Sequence, residues 1–356
     1  MPRVTPTAPP RPRRRPAAAP CLAVAALSLA AACSSGGPSV TASSSAPPAP
    51  VSTTTAPPAA PPATGVPVAT ASPGAPASPG VPASPGASPE PAAAPELPRG
   101  GTSIFPEHTV VMYYGTSGGG ALGVLGETTP ERAAERLEKA AAPFAKPAGT
   151  PVLPAFELIT TVASSSAGKD GTYSSELDGP AVQRYIDVAR KHKMLVVLDF
   201  QPGRAEFLDQ VKKYEKYLLQ PEVGVALDPE WKLTAKQRPL QQIGTSRAAP
   251  INAVSEYLSG LVAENDLPEK VFLVHQFKSY QLPDRKQILD REGLATVLHV
   301  DGFGSQEAKF QTYDVLHSRS KQFVNGFKLF YDEDTDLLTP AEAMAIKPRP
   351  MLISYQ

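Results

Sequence analysis

Residues 194–231, MLVVLDFQPGRAEFLDQVKKYEKYLLQPEVGVALDPEW, decide the fold. The stretch opens with the apolar run Met194 to Gln201 (MLVVLDFQ), continues with a helix-like pattern from Arg204 to Leu219, and closes with a second apolar run, Val223 to Trp231 (VGVALDPEW). Two β-rich runs separated by one helix-length segment form a strand–helix–strand unit, whose strands lie parallel with the helix crossing over them. A chain that repeats this unit builds a parallel sheet covered by helices.

Working outward, six more strand-like runs appear: Thr109 to Tyr114, Pro151 to Ile159, Val271 to Phe277, Leu294 to Asp301, Asn325 to Asp332 and Met351 to Gln356. Helical patterns fall between them at Pro130 to Phe144, Pro180 to His192, Ile251 to Glu264, Asp284 to Arg291, Gln306 to Ser320 and Thr339 to Ala345. Thr129-Pro130-Glu131 and Thr339-Pro340-Ala341-Glu342 are helix-start signals. Eight strands with seven helices predict an α/β fold, a single (β/α)8 TIM-like barrel lacking a final helix. Ser103 to His108 is expected to cover that gap or to close the lower end. The longer connections, Gly115 to Thr128, Thr160 to Gly179 and Lys232 to Pro250, all follow strands, the end at which such barrels carry their sites.

The N-terminal part has a different composition. Arg11, Arg13, Arg14 and Arg15 precede the apolar stretch Cys21 to Ala32, too short for a permanent membrane span and arranged like a signal peptide. The stretch ends Leu29-Ala-Ala-Ala-Cys33, which resembles a bacterial lipobox and implies lipidation of Cys33. Ser34 to Pro98 is almost entirely Ala, Pro, Ser, Thr and Gly, expected to be a disordered spacer reaching on the order of 100 to 200 Å. The expected organisation is therefore a signal peptide at 1–32, a lipidated cysteine with a Pro/Ala/Ser-rich stalk at 33–99, and a barrel at 100–356. The protein is expected to be exported and anchored on the outer face of the membrane. With 34 basic and 34 acidic residues the chain carries no cationic excess for nucleic acid. Cys21 and Cys33 are its only cysteines, so the barrel has no disulfide and no thiolate site.

Alternation along the strands selects the inward-facing residues. Small Gly224 and Ala226 suit a crowded interior and carry Asp228 and Glu230 inward with them. The same parity turns in Glu157, Asp199, His299, Asp301, Lys328 and Asp332, while His275 or Gln276 and Tyr113 or Tyr114 stay open as alternatives. Carboxylates at the ends of several strands point to a polar cleft, because burying unpaired charges is costly. Asp228-Pro229-Glu230 is the sharpest motif: Glu230 is the expected proton donor and Asp228 the assisting group, with Glu157, Asp199 and Asp301 in the same acidic set. Trp231, the only tryptophan, and Tyr113 are candidate sugar-stacking residues, and His275, Gln276, His299, Lys328 and Asp332 candidate ligand contacts. The histidines lack His-X-His or His-Glu-X-X-His spacing, so no metal or other cofactor is expected.

Asp-X-Glu at the end of a fourth strand resembles the motif of family 18 chitinases and family 25 lysozymes, barrel enzymes acting on N-acetylated glycans. Where family 18 has two further upstream aspartates this chain has Val223 and Ala226, and where family 25 ends its first strand in aspartate it has Tyr113-Tyr114-Gly115. Over 109–356 the chain also resembles a group of actinobacterial surface lipoproteins with barrel-like domains, through ALGVLGE (121–127), LPAFELI (153–159), LDFQPGR (198–204), ALDPEW (226–231), VDGFG (300–304) and the terminal NGFKLFYDEDTDLLTPAE and ISYQ. The first resemblance implies a hydrolase acting on a cell-wall or extracellular glycan; the second implies a common fold and a surface location, and no particular activity. A non-catalytic wall or ligand binder and a pure scaffold are the competing expectations.

Overall fold

The computed structural model describes residues 94–356; the signal-peptide and Cys33 assignments, and the stalk assignment up to residue 93, lie outside the described residues. Among the described residues there are nine strands: β1 Thr109–Gly115, β2 Val152–Ala163, β3 Ser174–Glu176, β4 Leu195–Phe200, β5 Val223–Leu227, β6 Lys270–Gln276, β7 Leu294–Val300, β8 Val324–Leu329 and β9 Leu352–Tyr355. Eight of them pair in parallel in the order β1, β2, β4, β5, β6, β7, β8, β9, and β9 returns to β1 to close the ring. The result is the expected TIM-like barrel. The remaining strand, β3, lies antiparallel on the overhanging end of β2, with Thr161 opposite Glu176, so part of the long connection after the second barrel strand is a hairpin.

The helices are α1 Pro130–Ala141, α2 Ala145–Ala148, α3 Gly179–Lys191, α4 Phe207–Lys212, α5 Glu215–Leu218, α6 Ala248–Glu264, α7 Gln306–Leu316 and α8 Pro340–Ala345. Local chemistry explains their starts. Thr129, Asp178, Ser305 and Thr339 each accept a hydrogen bond from a first-turn amide, and Glu342 completes a reciprocal capping box with Thr339. No helix follows β9 among the described residues.

Two helical expectations are corrected. Arg204 to Leu219 is broken into α4 and α5 at Tyr214, whose buried side chain donates to the Thr160 carbonyl at 3.1 Å. Asp284 to Arg291 holds only a single 3-10 turn, Arg285–Gln287. Its polar groups serve tertiary partners instead: the Asp284 carboxylate accepts from Ala248 N at the start of α6 (2.9 Å), and Asn252 bonds both Gln287 O and Leu289 N (2.8 and 2.9 Å). Tertiary contacts override local helix propensity here.

Two apolar layers separate the ends of the molecule. One lies between strands and helices and contains Val111, Phe156, Val196, Leu198, Val225, Phe272 and Phe327. The other fills the lower interior with Val110, Met112, Leu153, Leu195, Val197, Leu273 and Val297, all inward by strand alternation. Leu97 and Ile104 belong to this inner layer, so the segment ahead of β1 plugs the lower end. Arg99 donates to the Val152 and Lys193 carbonyls at 2.9 and 3.2 Å, which sets Leu97 and Arg99 with the barrel and not with the stalk to which 33–99 was assigned. Above the apolar floor the inward positions turn polar.

Candidate active site

Each polar group of the upper barrel follows an apolar one on the same strand parity. Tyr114 follows Met112, Glu157 follows Ala155, Asp199 follows Val197, His275 follows Leu273, His299 follows Val297, and Ser354 follows Leu352. Lys328 follows Gly326, where a Cβ would come within 3.1 Å of His299 Cγ and Val297 Cγ1; glycine makes room for the imidazole. The alternatives left open at the first and fifth barrel strands resolve to Tyr114 and His275.

His275 is the centre. Its Nδ1 lies 2.7 Å from Asp301 Oδ2 and its Nε2 lies 2.8 Å from Glu157 Oε1. Burial disfavours the imidazolium, but Asp301 and Glu157 outweigh it and hold the pKa of His275 well above the ordinary histidine value. The carboxylates respond in the opposite sense. Burial pushes Glu157 and Asp301 up, yet His275, with His299 and Lys328 behind it, brings both below the usual carboxylate range. His299 stacks on His275 with ring centroids 5.2 Å apart. Its Nε2 is 2.7 Å from Ser354 Oγ, and burial brings its pKa down to about 4, leaving it neutral. The Lys328 ammonium sits 3.8 Å from Asp301 Oδ2 and 3.5 Å from the centroid of the Tyr114 ring.

Three further carboxyls behave differently. Asp199 is fully buried, accepts a 3.4 Å bond from Tyr114 Oη, and is raised to about 7, first by burial and then by Glu157 and Asp301 against the pull of His275 and Lys328. Asp228 is raised well above its ordinary value by burial and by Glu230. Glu230 is raised to about 7 by burial and by Asp301, partly offset by Lys328, His275 and the Trp231 side chain. The mouth therefore holds a balanced charged group, His275 and Lys328 with Glu157 and Asp301, beside three carboxyls that retain protons at or near neutrality.

The geometry of the Asp-Pro-Glu motif is not that of a strand. β5 ends at Leu227, and Pro229–Trp231 form a 3-10 turn, so Glu230 reaches the site from a turn at the strand's end. Glu230 and Trp231 are partly exposed, whereas Asp228 is 3 % exposed and Glu157 and Asp199 are inaccessible.

Three of the expected ligand contacts lie elsewhere. Tyr113 faces the helices, edge-on to Tyr331 and Tyr355 at 6.3 Å each. Gln276 is held by Arg285 at 2.8 Å and donates to Lys278 O, on the parity opposite to His275. Asp332 is exposed in a turn, because β8 stops at Leu329 and strand alternation does not extend to it. Tyr114, Gln201 and Ser354 join the site unforeseen or undecided; Gln201 Nε2 donates to Tyr114 Oη at 3.2 Å. Gln201 shares the parity of Asp199 and Ser354 that of Leu352, signals present in the sequence.

No protein-family model matches the chain, and no curated protein matches it. Among solved structures the chain is similar to a GH18 chitinase from Pseudoalteromonas aurantia, with 12% identity, 69% of this chain and 93% of that chain covered, and a TM-score of 0.35.

Proposed function

We propose that the barrel is a glycoside hydrolase that works by carboxyl acid/base chemistry on a cell-wall or extracellular glycan, displayed outside the cell on a lipid-anchored stalk. The observation that carries the reading is Glu230: a partly exposed carboxyl at the carboxyl-terminal mouth of the barrel, raised to about 7 and flanked by Trp231. A carboxylic acid that keeps its proton near neutrality can pass it to a glycosidic oxygen as the C–O bond breaks; water then adds its hydroxyl to the anomeric carbon of the new reducing end, and the proton it gives up returns to the Glu230 carboxylate. Asp228, itself protonated, can hydrogen-bond to the Glu230 carboxylate formed by that transfer. The indole of Trp231 offers a face for a sugar ring.

Replacing Glu230 by Gln removes the proton donor and keeps the shape. Turnover of a responsive glycan is expected to fall on the order of 10²- to 10⁴-fold with an unfolding midpoint no lower than that of the wild type. Undiminished release of reducing ends by that variant would reject Glu230 as the acid. The export reading rests on the Arg-rich start, the apolar stretch and the small residues before Cys33. Cys33→Ala is expected to move the protein from the membrane fraction into the soluble fraction.

The complete burial of Glu157, Asp199 and His299 favours a second reading, in which the network closes the barrel and the mouth binds a glycan without cleaving it. Retention on an insoluble polysaccharide, equal for wild type and Glu230→Gln and without reducing ends, would select that reading.

A further inference from the structure

The run LDFQPGR, 198–204, contributes Asp199 and Gln201 to the buried network and then leaves it at Gly203-Arg204. Those two residues lie against the segment that follows Glu230 and Trp231. Gly203 pairs with Lys232 in an isolated parallel bridge, and its carbonyl accepts from Leu233 N at 2.7 Å. On its other side Gly203 meets the hairpin after β2. Its φ is +57° and a Cβ there would overlap the Thr172 carbonyl, so glycine alone permits this approach. Arg204 N donates to that same carbonyl at 2.6 Å.

The Arg204 side chain reaches farther. Its Nε and Nη2 both donate to the Gln237 carbonyl, at 2.9 and 2.8 Å, and its guanidinium carbon lies 4.2 Å from the centroid of the Tyr173 ring. Tyr173 is buried at φ +58°, a left-handed conformation that is costly for tyrosine and persists only where the surroundings fix it. Lys232 Nζ crosses in the opposite direction, to Ala205 O at 2.8 Å and to the Glu206 carboxylate at 2.7 Å. Residues 203–206 and 232–237 are thus stitched at both ends. Trp231 directly precedes the stitched segment, and Glu230 O accepts from Gly244 N at 2.5 Å on the other flank of the turn. Neither Arg204, Tyr173 nor Gln237 belongs to the two apolar layers that build the barrel, so this strap is separable from the fold.

We propose that Arg204 is a positioning residue: by gripping the Gln237 carbonyl across the Tyr173 ring it holds the segment after Trp231, and so fixes the turn that carries Glu230 and Trp231. The effect on turnover rests on the hydrolase reading above, whereas the hold on the turn does not.

Trp231 is the only tryptophan, so its fluorescence reports on this turn. In full-length Arg204→Ala, acrylamide quenching of that emission is expected to rise about twofold over wild type, as a mouth loop freed of its strap opens locally. Arg204→Lys keeps the charge but loses the planar fork, and should fall between the two. Lys191→Ala, an exposed change at the far end of α3, sets the baseline. Quenching of Arg204→Ala no greater than that baseline overturns the proposal; if circular dichroism shows that variant unfolded, Arg204→Lys is held to the same criterion. On a glycan that the wild type cleaves, kcat of Arg204→Ala is expected to fall about tenfold or more, with partial recovery in Arg204→Lys, because misplacing a reacting group by about 1 Å is costly. Greater quenching with kcat unchanged would make Arg204 a structural residue only and overturn its positioning role. Should the wild type cleave no glycan of a broad panel, the hydrolase reading fails, and quenching alone decides whether Arg204 holds the turn.

Discussion

His275 reaches two carboxylates from one ring, and neither Glu157 nor Asp301 has another buried cation as close. Its replacement by Gln would leave one carboxylate charge or more buried without compensation, which costs about 3–5 kcal/mol in comparable sites. A urea titration should show that loss as a lower midpoint at constant slope. The double variant His275→Gln, Glu157→Gln should recover part of it, because the second change removes one of the stranded charges. A single variant as stable as wild type would mean that His275 is not the countercharge. The convergence of these residues was legible from parity alone: Glu157, Asp199, His299 and Lys328 each follow a small or apolar inward residue. Asp332 was misread because parity holds only as far as the strand does, and the chain turns after Leu329. Asp228 and Glu230 were grouped on the premise of a continuing strand, whereas β5 ends at Leu227 and Pro229–Trp231 form a 3-10 turn.

The buried pair Lys309 and Asp334 works between elements. From α7, Lys309 Nζ donates to the carbonyls of Gly302 and Lys328 at 2.7 and 2.8 Å and meets Asp334 Oδ2 at 2.9 Å. Asp334 in turn accepts from the backbone of Gly304 and Phe330 at 3.1 and 2.9 Å. One ion pair thereby ties the connection after β7 to the connection after β8, and so sets the rim on which Asp301 stands. Asp334→Ala should destabilise the protein by about 3–5 kcal/mol, since Lys309 stays buried with its countercharge removed. Hydrogen exchange should show greater loss of protection in 301–336 than in α1; a uniform loss would argue against a local clasp. Nothing in the spacing of Lys309 and Asp334 announces this pair. The strands were plain in the sequence because buried parallel strands read as continuous Val, Leu and Ile runs. Helices were legible where a cap marked the start, and failed at Asp284 to Arg291, where α6 claims the hydrogen-bonding groups of that segment.

At the scale of the whole barrel, the site makes stability depend on pH in a direction that follows from its two classes of carboxyl. Asp199 and Glu230 are raised to about 7 and Asp228 is raised well above its ordinary value, so the folded protein keeps protons that the unfolded chain releases near the ordinary carboxylate value of about 4. Between those limits the folded state binds more protons, and each group lowers stability by up to about 1.4 kcal/mol per pH unit as pH rises. His275 adds to the fall from the ordinary histidine value of about 6.5 upward, because its folded pKa is also raised. Glu157 and Asp301 are depressed, so their stabilisation is present above about 4 and is lost as pH falls through their folded values. The unfolding midpoint should therefore peak at about pH 4 to 5 and decline through neutrality. Asp199→Asn removes the deepest of the raised carboxyls and should flatten the decline, which thermal or urea unfolding at about pH 5 and 7.5 would measure for both proteins. A wild-type midpoint that rises between those two conditions would mean that these carboxyls ionise freely in the fold. In that case Glu230 would have no proton to give near neutrality, and the acid role would fall with the stability profile.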